Sequence, residues 1–172
     1  MVGLRPGRCY KKLERAYTRK SKYKAKAFIK AVPAVKIVKF DMGDLKKKFP
    51  REVNLISKEA LQLRQNAVES SRLIINRILM KDLNKNYHLK IRIYPHHVLR
   101  ENKMLTGAGA DRMQSGMQKA FGKPVAIASR IKKGQTIFSA YVDEKDVNIA
   151  KEALKKAIPR LPCKCAIESK SI

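Results

Sequence analysis

The chain is poor in acidic residues and in aromatic rings, and it contains no tryptophan. Among 172 residues, 14 Asp and Glu stand against 40 Lys and Arg, which gives a formal net charge of +26. Because aromatic residues make up only 6% of the chain, there is little material for a large aromatic ligand cage. A charge of this size attracts polyanions strongly and indicates nucleic acid as the partner.

Long apolar runs are also missing. No run of about 18 apolar residues occurs, so we expect no transmembrane helix and no membrane partner. The N-terminus has no apolar stretch of the secretory type, and we therefore expect a cytoplasmic protein. An Arg-rich transit peptide is an alternative interpretation, which the spacing of Tyr and Gly and the low Ser content disfavour.

Three cysteines are present, and nothing in the sequence indicates a secreted, disulfide-bonded protein. Cys163 and Cys165 alternate with Lys164, which predicts a strand with both thiols and Ile167 on its buried face. A zinc site needs four ligands, usually with a Cys-x2-Cys-like pair, and that spacing is not found. We therefore predict no metal site.

Positive charge is concentrated at the N-terminus. The first 30 residues contain eleven basic residues and one acid, Glu14, for a formal charge of +10. Such a segment repels itself and has too few apolar residues to offset chain entropy, so a polyanion is needed to order it. Four aromatic residues interleave with the charges and suit stacking on unpaired RNA bases: Tyr10, Tyr17, Tyr23 and Phe28. We predict a basic RNA-binding arm at 1–33; a solvated cationic tail is the alternative.

Residues 34–172 are predicted to form a single domain. In chain order, we expect a strand at 35–40, a turn at 41–44, a helix that Ser57 caps and that ends near Leu83, a strand at 87–94, a hairpin of 124–131 and 135–142, a helix that Asp143 caps, and a strand around Cys163 and Cys165.

Amphipathic patterns assign faces to these elements. The first helix has its apolar stripe at Ala60, Leu63, Ala67, Ile74 and Ile78, widened by Leu61, Val68, Ile75 and Leu79, while Glu69, Arg72 and Arg77 fall outside it. The second helix is expected to bury Val147, Ala150, Leu154 and Ile158. In the strand at 87–94, Lys90, Arg92 and Tyr94 share the solvent face. Residues 135–172 carry a net charge of only +2, which is typical of a part of the fold that supports a binding surface located elsewhere.

A segment rich in glycine and methionine, the Gly/Met segment at 100–123, separates the strand at 87–94 from the hairpin. Its first part has no regular periodicity and predicts a mobile loop, whereas Asp111 is expected to cap a short helix with Met113, Met117 and Phe121 on one face. Neither a dinucleotide fingerprint nor a phosphate-binding loop fits its glycines. The adjacent His96 and His97 point to opposite sides of a strand and do not suit chelation. We therefore predict no enzyme, no cofactor and no small-molecule substrate.

Three stretches resemble one known family: RPGRCY at 5–10, YHLKIRIYPHH at 87–97, and NKMLTGAGADRMQSGMQKAFGKP at 102–124. They are similar to the archaeal large-subunit ribosomal protein family L-ten-e, the counterpart of bacterial L-sixteen, over essentially the whole chain. The resemblance implies an α+β two-layer sandwich of a mainly antiparallel sheet with two helices, and a hammerhead-like β element. It also implies binding to large-subunit rRNA near the peptidyl-transferase centre, with tRNA acceptor ends and other ribosomal proteins nearby.

Two sets of site residues follow from the charge pattern and the resemblance together. The RNA-binding set is Arg5, Arg8, Tyr10, Lys11, Lys12, Arg15, Arg19, Lys20, Lys22, Lys24, Lys90, Arg92, His96, His97 and Arg100. The tRNA-proximal set is Asn102, Lys103, Met104, Gly107, Gly109, Asp111 and Arg112. Because the bacterial loop is shorter and more basic, contacts of individual residues cannot be transferred from it.

Two other classes of protein are compatible with strong positive charge. A DNA-compacting chromatin protein would prefer duplex DNA to structured RNA. An RNA-modifying enzyme with a basic guide arm would need a cofactor site, which the glycine motifs do not provide.

Overall fold

A computed structural model describes residues 5–14, 23–118 and 120–172, and it combines two antiparallel sheets with α-helices. The strands are β1 (Asp41–Gly43), β2 (Arg51–Ser57), β3 (Leu61–Arg64), β4 (His88–Ile91), β5 (His97–Glu101), β6 (Lys123–Ile131), β7 (Thr136–Val142) and β8 (Cys165–Ser171). The α-helices in the described part of the chain are α1 (Gln65–Leu83), α2 (Ala110–Met113) and α3 (Val147–Ala157). The expected α+β class with mainly antiparallel pairing is confirmed.

The large sheet has the strand order β1-β4-β7-β2-β8, and every neighbouring pair is antiparallel. Strand β2 lies between β7 and β8, so its residues are paired on both edges. Leu55 of β2 stands opposite Phe138 on one side and Ile167 on the other. This central position explains why β2 is buried over most of its length.

The main hydrophobic core joins the large sheet to α1 and α3. From α3 it includes Leu154 and three alanines, Ala150, Ala153 and Ala157, whose small side chains let the helix pack against α1. Of the stripe expected for this helix, Ala150 and Leu154 are fully buried, whereas Val147 and Ile158 are half-buried at its ends. The helix itself was predicted correctly.

The small sheet has the order β3-β6-β5 and is joined to the large sheet by two crossings of the chain. At the first crossing, β2 passes into β3 through 58–60; at the second, β6 passes into β7 through 132–135. Backbone hydrogen bonds tie the crossings together, because Ser57 N donates to Gln135 O at 3.0 Å and Gly134 N donates to Ser57 O at 2.8 Å.

The predicted hairpin of 124–131 and 135–142 is therefore wrong, although both strands exist. Gly134 has a φ of 80° and makes the expected turn. However, β6 pairs with β3 and β5, and β7 pairs with β2 and β4. The turn satisfies its polar groups by bonding to Ser57, so the two strands separate into different sheets.

The start of the first helix was also predicted wrongly. Ser57 ends β2 and does not cap a helix; its hydroxyl donates to Glu59 O at 2.7 Å within the first crossing. Helix α1 begins only at Gln65, because residues 61–64 pair with β6. Val68, Ile75 and Leu79 of the expected stripe are buried, and Ile74 and Ile78 are half-buried against the core. The buried face also includes residues that were not expected there, namely Gln65, Ser71, Arg72 and Leu83.

Arg72 lies on that face, although the sequence pattern placed it outside the apolar stripe of the helix. Its guanidinium is 8% exposed and forms a two-pronged ion pair with Glu69, with Nη2–Oε1 at 2.6 Å and Nε–Oε2 at 2.8 Å. The hydrogen bond from Arg72 keeps the pKa of Glu69 below its ordinary value, so the pair stays ionised. A buried charge is tolerated here because it is matched by a bidentate partner.

The predicted strand at 35–40 and the predicted turn at 41–44 are shifted in the structure. Residues 35–39 are irregular, with Val35 and Val38 exposed, and β1 occupies 41–43 instead. The turn begins at Asp44, whose Oδ1 accepts hydrogen bonds from the backbone N of Lys46 and Lys47 at 2.8 and 3.3 Å. The apolar residues of this stretch were not sufficient to recruit a neighbouring strand.

Asp143 does not cap α3 with its side chain. Its carboxylate instead accepts hydrogen bonds from Lys47 Nζ at 2.6 Å and Asn86 Nδ2 at 3.0 Å, and a 3-10 turn at Glu144–Asp146 leads into the helix. The strand expected around Cys163 and Cys165 is present only from Cys165, where β8 begins; Cys163 precedes it and is buried, whereas Cys165 and Ile167 are half-buried. Among the described helices, none combines the length and hydropathy needed to span a bilayer.

Candidate nucleic-acid interface

Residues 5–14 of the basic arm pack along the small sheet. Gln62 of β3 holds them, because its backbone N donates to Lys11 O at 2.9 Å and its Nε2 donates to Tyr10 O and Lys12 O at 3.2 and 2.8 Å. Arg64 Nη1 donates to Arg5 O at 2.8 Å. The polar side chains of β3 therefore bind the backbone of the arm, in place of hydrogen bonds to a neighbouring strand. The sequence pattern did not reveal this role of Gln62.

Both faces of the small sheet are covered by the arm. On one face, Tyr10 packs against a cluster of Leu99, Ala126 and Ala128; on the other, Ile29 is buried with Val98 and Ile127. These residues alternate along β5 and β6, which is how one strand presents two faces. The small sheet has too few large apolar residues of its own, and the arm supplies the missing contacts.

Ion pairs add to this attachment. Arg5 Nε lies 2.7 Å from Glu101 Oε1, and Lys11 Nζ lies 3.3 Å from Glu59 Oε2. The side chain of Glu101 is only 10% exposed, so Arg5 neutralises a carboxylate that would otherwise be buried unpaired. Arg8 and Lys12 are exposed, and no acidic partner is recorded for either within the described part of the chain.

A cavity of about 260 Å³ lies between the arm and the small sheet. Its lining includes Arg8, Tyr10, Lys12, His97 and Arg100, five of the residues predicted to bind RNA. Basic groups from two separate parts of the chain are thus brought to one concave surface. Phosphate groups would be neutralised there by several cations at once.

His97 lines this cavity in its neutral form. The pKa of His97 is lowered from 6.5 to about 4, mainly by burial and also by the neighbouring groups Arg130, His96 and Arg100. His97 therefore offers a hydrogen bond at neutral pH and does not add a positive charge. His96 is exposed, and its Nδ1 lies 3.1 Å from Tyr94 O.

The lowered pKa of His97 predicts a pH-dependent stability. Since the unfolded chain binds a proton at this residue near pH 6.5 and the folded chain only near pH 4, its contribution is complete above pH 6.5 and is lost as the pH falls towards 4. We expect the variant His97→Gln to remove about 2 kcal/mol of this pH dependence, after allowance for partial exposure. Urea unfolding at several pH values measures it; an unchanged slope in the variant would contradict the assignment.

Phe121 connects the Gly/Met segment with the arm. Within the segment, the guanidinium carbon of Arg100 lies 4.1 Å from the centre of the Phe121 ring, and Arg100 Nη1 also donates to Phe121 O. Phe28 of the arm meets the same ring edge-to-face, with 5.4 Å between ring centres. The cation–π contact and the aromatic pair together fasten the end of the segment to the arm.

Among the described residues between β5 and β6, regular structure is limited to the single turn of α2. The short helix was expected from Asp111 to Phe121; it begins after Gly109, ends at Met113, and Gln114 is extended. Glycines with positive φ, Gly116 at 60° and Gly122 at 70°, interrupt any continuation. Met113, Met117 and Phe121 therefore do not form a helical stripe.

Gln114 joins the two sides of this loop by hydrogen bonds. It was not predicted as a functional residue. Its Oε1 accepts from Leu105 N at 2.6 Å, and its Nε2 donates to Lys103 O at 3.2 Å. The loop nevertheless exposes large apolar side chains, namely Met104, Leu105, Met113 and Met117. Exposed apolar groups of this number indicate a surface that is covered in an assembly.

The predicted RNA-binding residues do not all lie on one surface. Lys90 and Arg92 belong to the region of the large sheet, where Lys90 Nζ is 4.0 Å from Asp41 Oδ1 and Arg92 is exposed. The arm residues Arg15, Arg19, Lys20 and Lys22 lie outside the described residues, as does the side chain of Lys24. Among the described residues, no cluster of three or more metal-ligating side chains is found.

Comparison with known proteins identifies the family. Residues 14–168 match the family described as Ribosomal protein L16p/L10e. The chain belongs to this family of ribosomal proteins. The resemblance drawn from the sequence is confirmed, and since the family consists of structural ribosomal proteins, the expectation of a non-enzyme is confirmed with it.

Archaeal relatives match almost the whole chain. The protein of Methanoculleus marisnigri is 46% identical over 160 residues, covering 92% of this chain and 91% of the relative. That of Methanococcus maripaludis is 45% identical over 168 residues, covering 96% and 94%, and that of Archaeoglobus fulgidus is 44% identical over 159 residues, covering 92% and 88%. All three are named Large ribosomal subunit protein uL16. The alternative of a DNA-compacting chromatin protein finds no support in these matches.

Proposed function

We propose that this protein is a structural constituent of the large ribosomal subunit that binds rRNA with the surface formed by its basic arm and small sheet. The observation that carries the proposal is the cavity in which Arg8, Lys12 and Arg100 meet around Gln62. The family and the names of the archaeal relatives supply the large subunit as the site of action, and hence the cytoplasm.

The form of the basic arm supports rRNA as its ligand. The described part of the arm lies on the small sheet, and Arg8 and Lys12 are exposed at the cavity between them. Cations held on a sheet lose less conformational freedom on meeting phosphate than cations on a free tail, so binding is stronger for the same charge. In this proposal the small sheet with its arm is the hammerhead-like β element, and Arg15, Arg19, Lys20, Lys22 and Lys24 extend the contact.

The Gly/Met segment is assigned to the tRNA-binding cleft. The tRNA-proximal set lies in this segment and consists of Asn102, Lys103, Met104, Gly107, Gly109, Asp111 and Arg112. All of these residues are exposed except Asn102, which is half-buried. Gly107 and Gly109, with φ of 122° and 76°, have free space where a Cβ would lie, so the backbone itself is accessible to RNA. We assign this surface to contacts near tRNA acceptor ends and to neighbouring ribosomal proteins.

Co-sedimentation tests the assignment to the large subunit. Tagged full-length protein produced in its own host is expected to migrate with large subunits in a sucrose gradient and to remain there at moderate salt. Recovery only in the soluble fraction would contradict the proposal. In a competition assay, structured rRNA is expected to displace the protein from duplex DNA; the reverse preference would favour the chromatin alternative.

Deletion of residues 104–110 tests the role of the Gly/Met segment. These residues contribute no buried apolar side chain, so the variant is expected to keep the unfolding midpoint of the parent chain. It is expected to enter large subunits but to slow translation or late subunit maturation, which polysome profiles and peptide-synthesis assays measure. Global unfolding of the variant would show that the segment belongs to the core, and normal translation would remove its functional role.

A further inference from the structure

The two cysteines near the C-terminus form a close thiol pair that the proposed function does not use. Cys163 and Cys165 are separated by Lys164, and their Sγ atoms lie 3.4 Å apart. Cys163 is buried, with 8% exposure, and Cys165 is half-buried. A disulfide has its sulfur atoms about 2.05 Å apart, so a movement of roughly 1.4 Å would join them.

The backbone on both sides of the pair is held in place. Cys165 opens β8 and stands opposite Ser57, the last residue of β2. Between the two cysteines, Lys164 O accepts a hydrogen bond from Lys58 N at 2.9 Å. The two thiols therefore face one another because of the strand pairing, and the contact does not depend on a chance rotamer of an exposed side chain.

The two thiols also have different pKa values. The hydrogen bond from Cys165 lowers the pKa of Cys163 below its ordinary value, and burial opposes this shift. The pKa of Cys165 is raised by the same hydrogen bond. The charged groups that act on Cys163 are Glu59, which raises its pKa, and Lys11, which lowers it. Cys163 is thus the thiol that loses its proton first, beside a thiol that keeps its own, which is the arrangement of a nucleophile with a resolving partner.

We propose that Cys163 and Cys165 are a reversible redox pair that a small hydroperoxide, such as hydrogen peroxide, oxidises to a disulfide at the start of β8. In the first step the Cys163 sulfur attacks one peroxide oxygen, the O–O bond breaks, and Cys163 sulfenic acid and water are formed. In the second step the Cys165 sulfur attacks the Cys163 sulfur, the S–O bond breaks, and a second water leaves. Two thiols and one hydrogen peroxide become one disulfide and two waters.

The consequence of the pair is protection of Cys163. A sulfenic acid without a resolving thiol proceeds to sulfinic and sulfonic acids, which are irreversible for most proteins. A thiol 3.4 Å away captures the sulfenic acid first. Because the disulfide closes a very short loop, it restrains the unfolded chain little, and the fold is expected to tolerate both redox states.

Thiol mapping of the full-length chain tests the proposal. In a Cys9→Ser background, which removes the exposed third thiol, the protein is treated with hydrogen peroxide, alkylated and analysed by mass spectrometry. We expect peptides that carry Cys163 and Cys165 to lose the mass of two hydrogen atoms, to resist alkylation, and to regain both thiols with dithiothreitol. If both thiols remain open to alkylation, or if Cys163 gains oxygen atoms while Cys165 stays reduced, the proposal is wrong.

The variant Cys165→Ala provides the matched comparison, because alanine removes both the resolving thiol and the hydrogen-bond donor. It is expected to accumulate sulfinic acid at Cys163, because the resolving thiol is missing. Its oxidation rate is also expected to rise at a higher pH than that of the parent, since the hydrogen bond that stabilises the Cys163 thiolate is lost. Far-UV circular dichroism verifies that the variant is folded. Equal rates and equal products in parent and variant would overturn the role of Cys165.

Discussion

Replacing Arg8, Lys11 and Lys12 together by glutamine is expected to weaken binding of the full-length chain to large-subunit rRNA on the order of 100-fold at about 0.1 M salt. Each cation that neutralises a phosphate contributes roughly 0.7 to 0.9 to the slope of log K against log salt concentration, so the slope should fall by about 2 to 3. Arg5 is left in place because Glu101 depends on it. Filter binding across a salt series measures both quantities.

A control variant with equal loss of charge separates local contacts from net charge. Lys151, Lys155 and Lys156 of α3 are exposed and belong to the near-neutral C-terminal part of the chain. Their replacement by glutamine is expected to change the slope by less than about 1. If the two triple variants lose the same affinity, binding reflects overall charge, and the surface of the arm and small sheet is not the rRNA contact.

Replacing Phe138 by alanine is expected to lower the free energy of unfolding by about 3 to 5 kcal/mol, enough to unfold a domain of ordinary stability in part. Phe138 is fully buried in β7 and stands opposite Leu55 of β2 and Ile91 of β4. A cavity at this place is enclosed by paired strands on both sides and cannot close by a shift of one side chain. Urea unfolding followed by circular dichroism measures the loss.

Two comparison variants show whether the loss of stability in Phe138→Ala comes from the buried volume that is removed. Phe138→Leu keeps most of the volume and should cost less than about 1.5 kcal/mol. Leu45→Ala removes a side chain that is 63% exposed and should change stability by no more than about 0.5 kcal/mol. A loss below about 1 kcal/mol in Phe138→Ala would show that β7 is not the centre of the core.

Elements with a clear period and clean ends were predicted well from the sequence. Helix α3 follows a 3.6-residue stripe and ends before Pro159, and the alternation from Leu89 to Ile93 continues past the end of β4. Strand β2 was missed, because its burial does not alternate: the consecutive residues Val53, Asn54 and Leu55 are all buried. The residues of β3 were read as helix, since Leu61 and Leu63 fit a helical stripe as well as a strand.

The candidate site was predicted in part. Charge and resemblance selected Arg8, Lys12, His97 and Arg100, which the fold brings around one cavity. Gln62 was not selected, since an isolated glutamine in an apolar stretch carries no pattern. The sequence also could not predict that His97 is neutral, because its lowered pKa results from burial beside Arg130 and Arg100 in the fold.

The sequence by itself determined the polyanionic partner, the family and the concentration of cations at the N-terminus, because charge and motif are properties of the chain that no folding step alters. Only the tertiary structure decided where those cations meet. The arm was expected to stay unordered without a polyanion, yet its described residues lie on both faces of the small sheet, with Tyr10 on one and Ile29 on the other. The physical reason is that the small sheet needs apolar cover that its own strands lack, and such complementarity between distant segments leaves no local signal in a sequence.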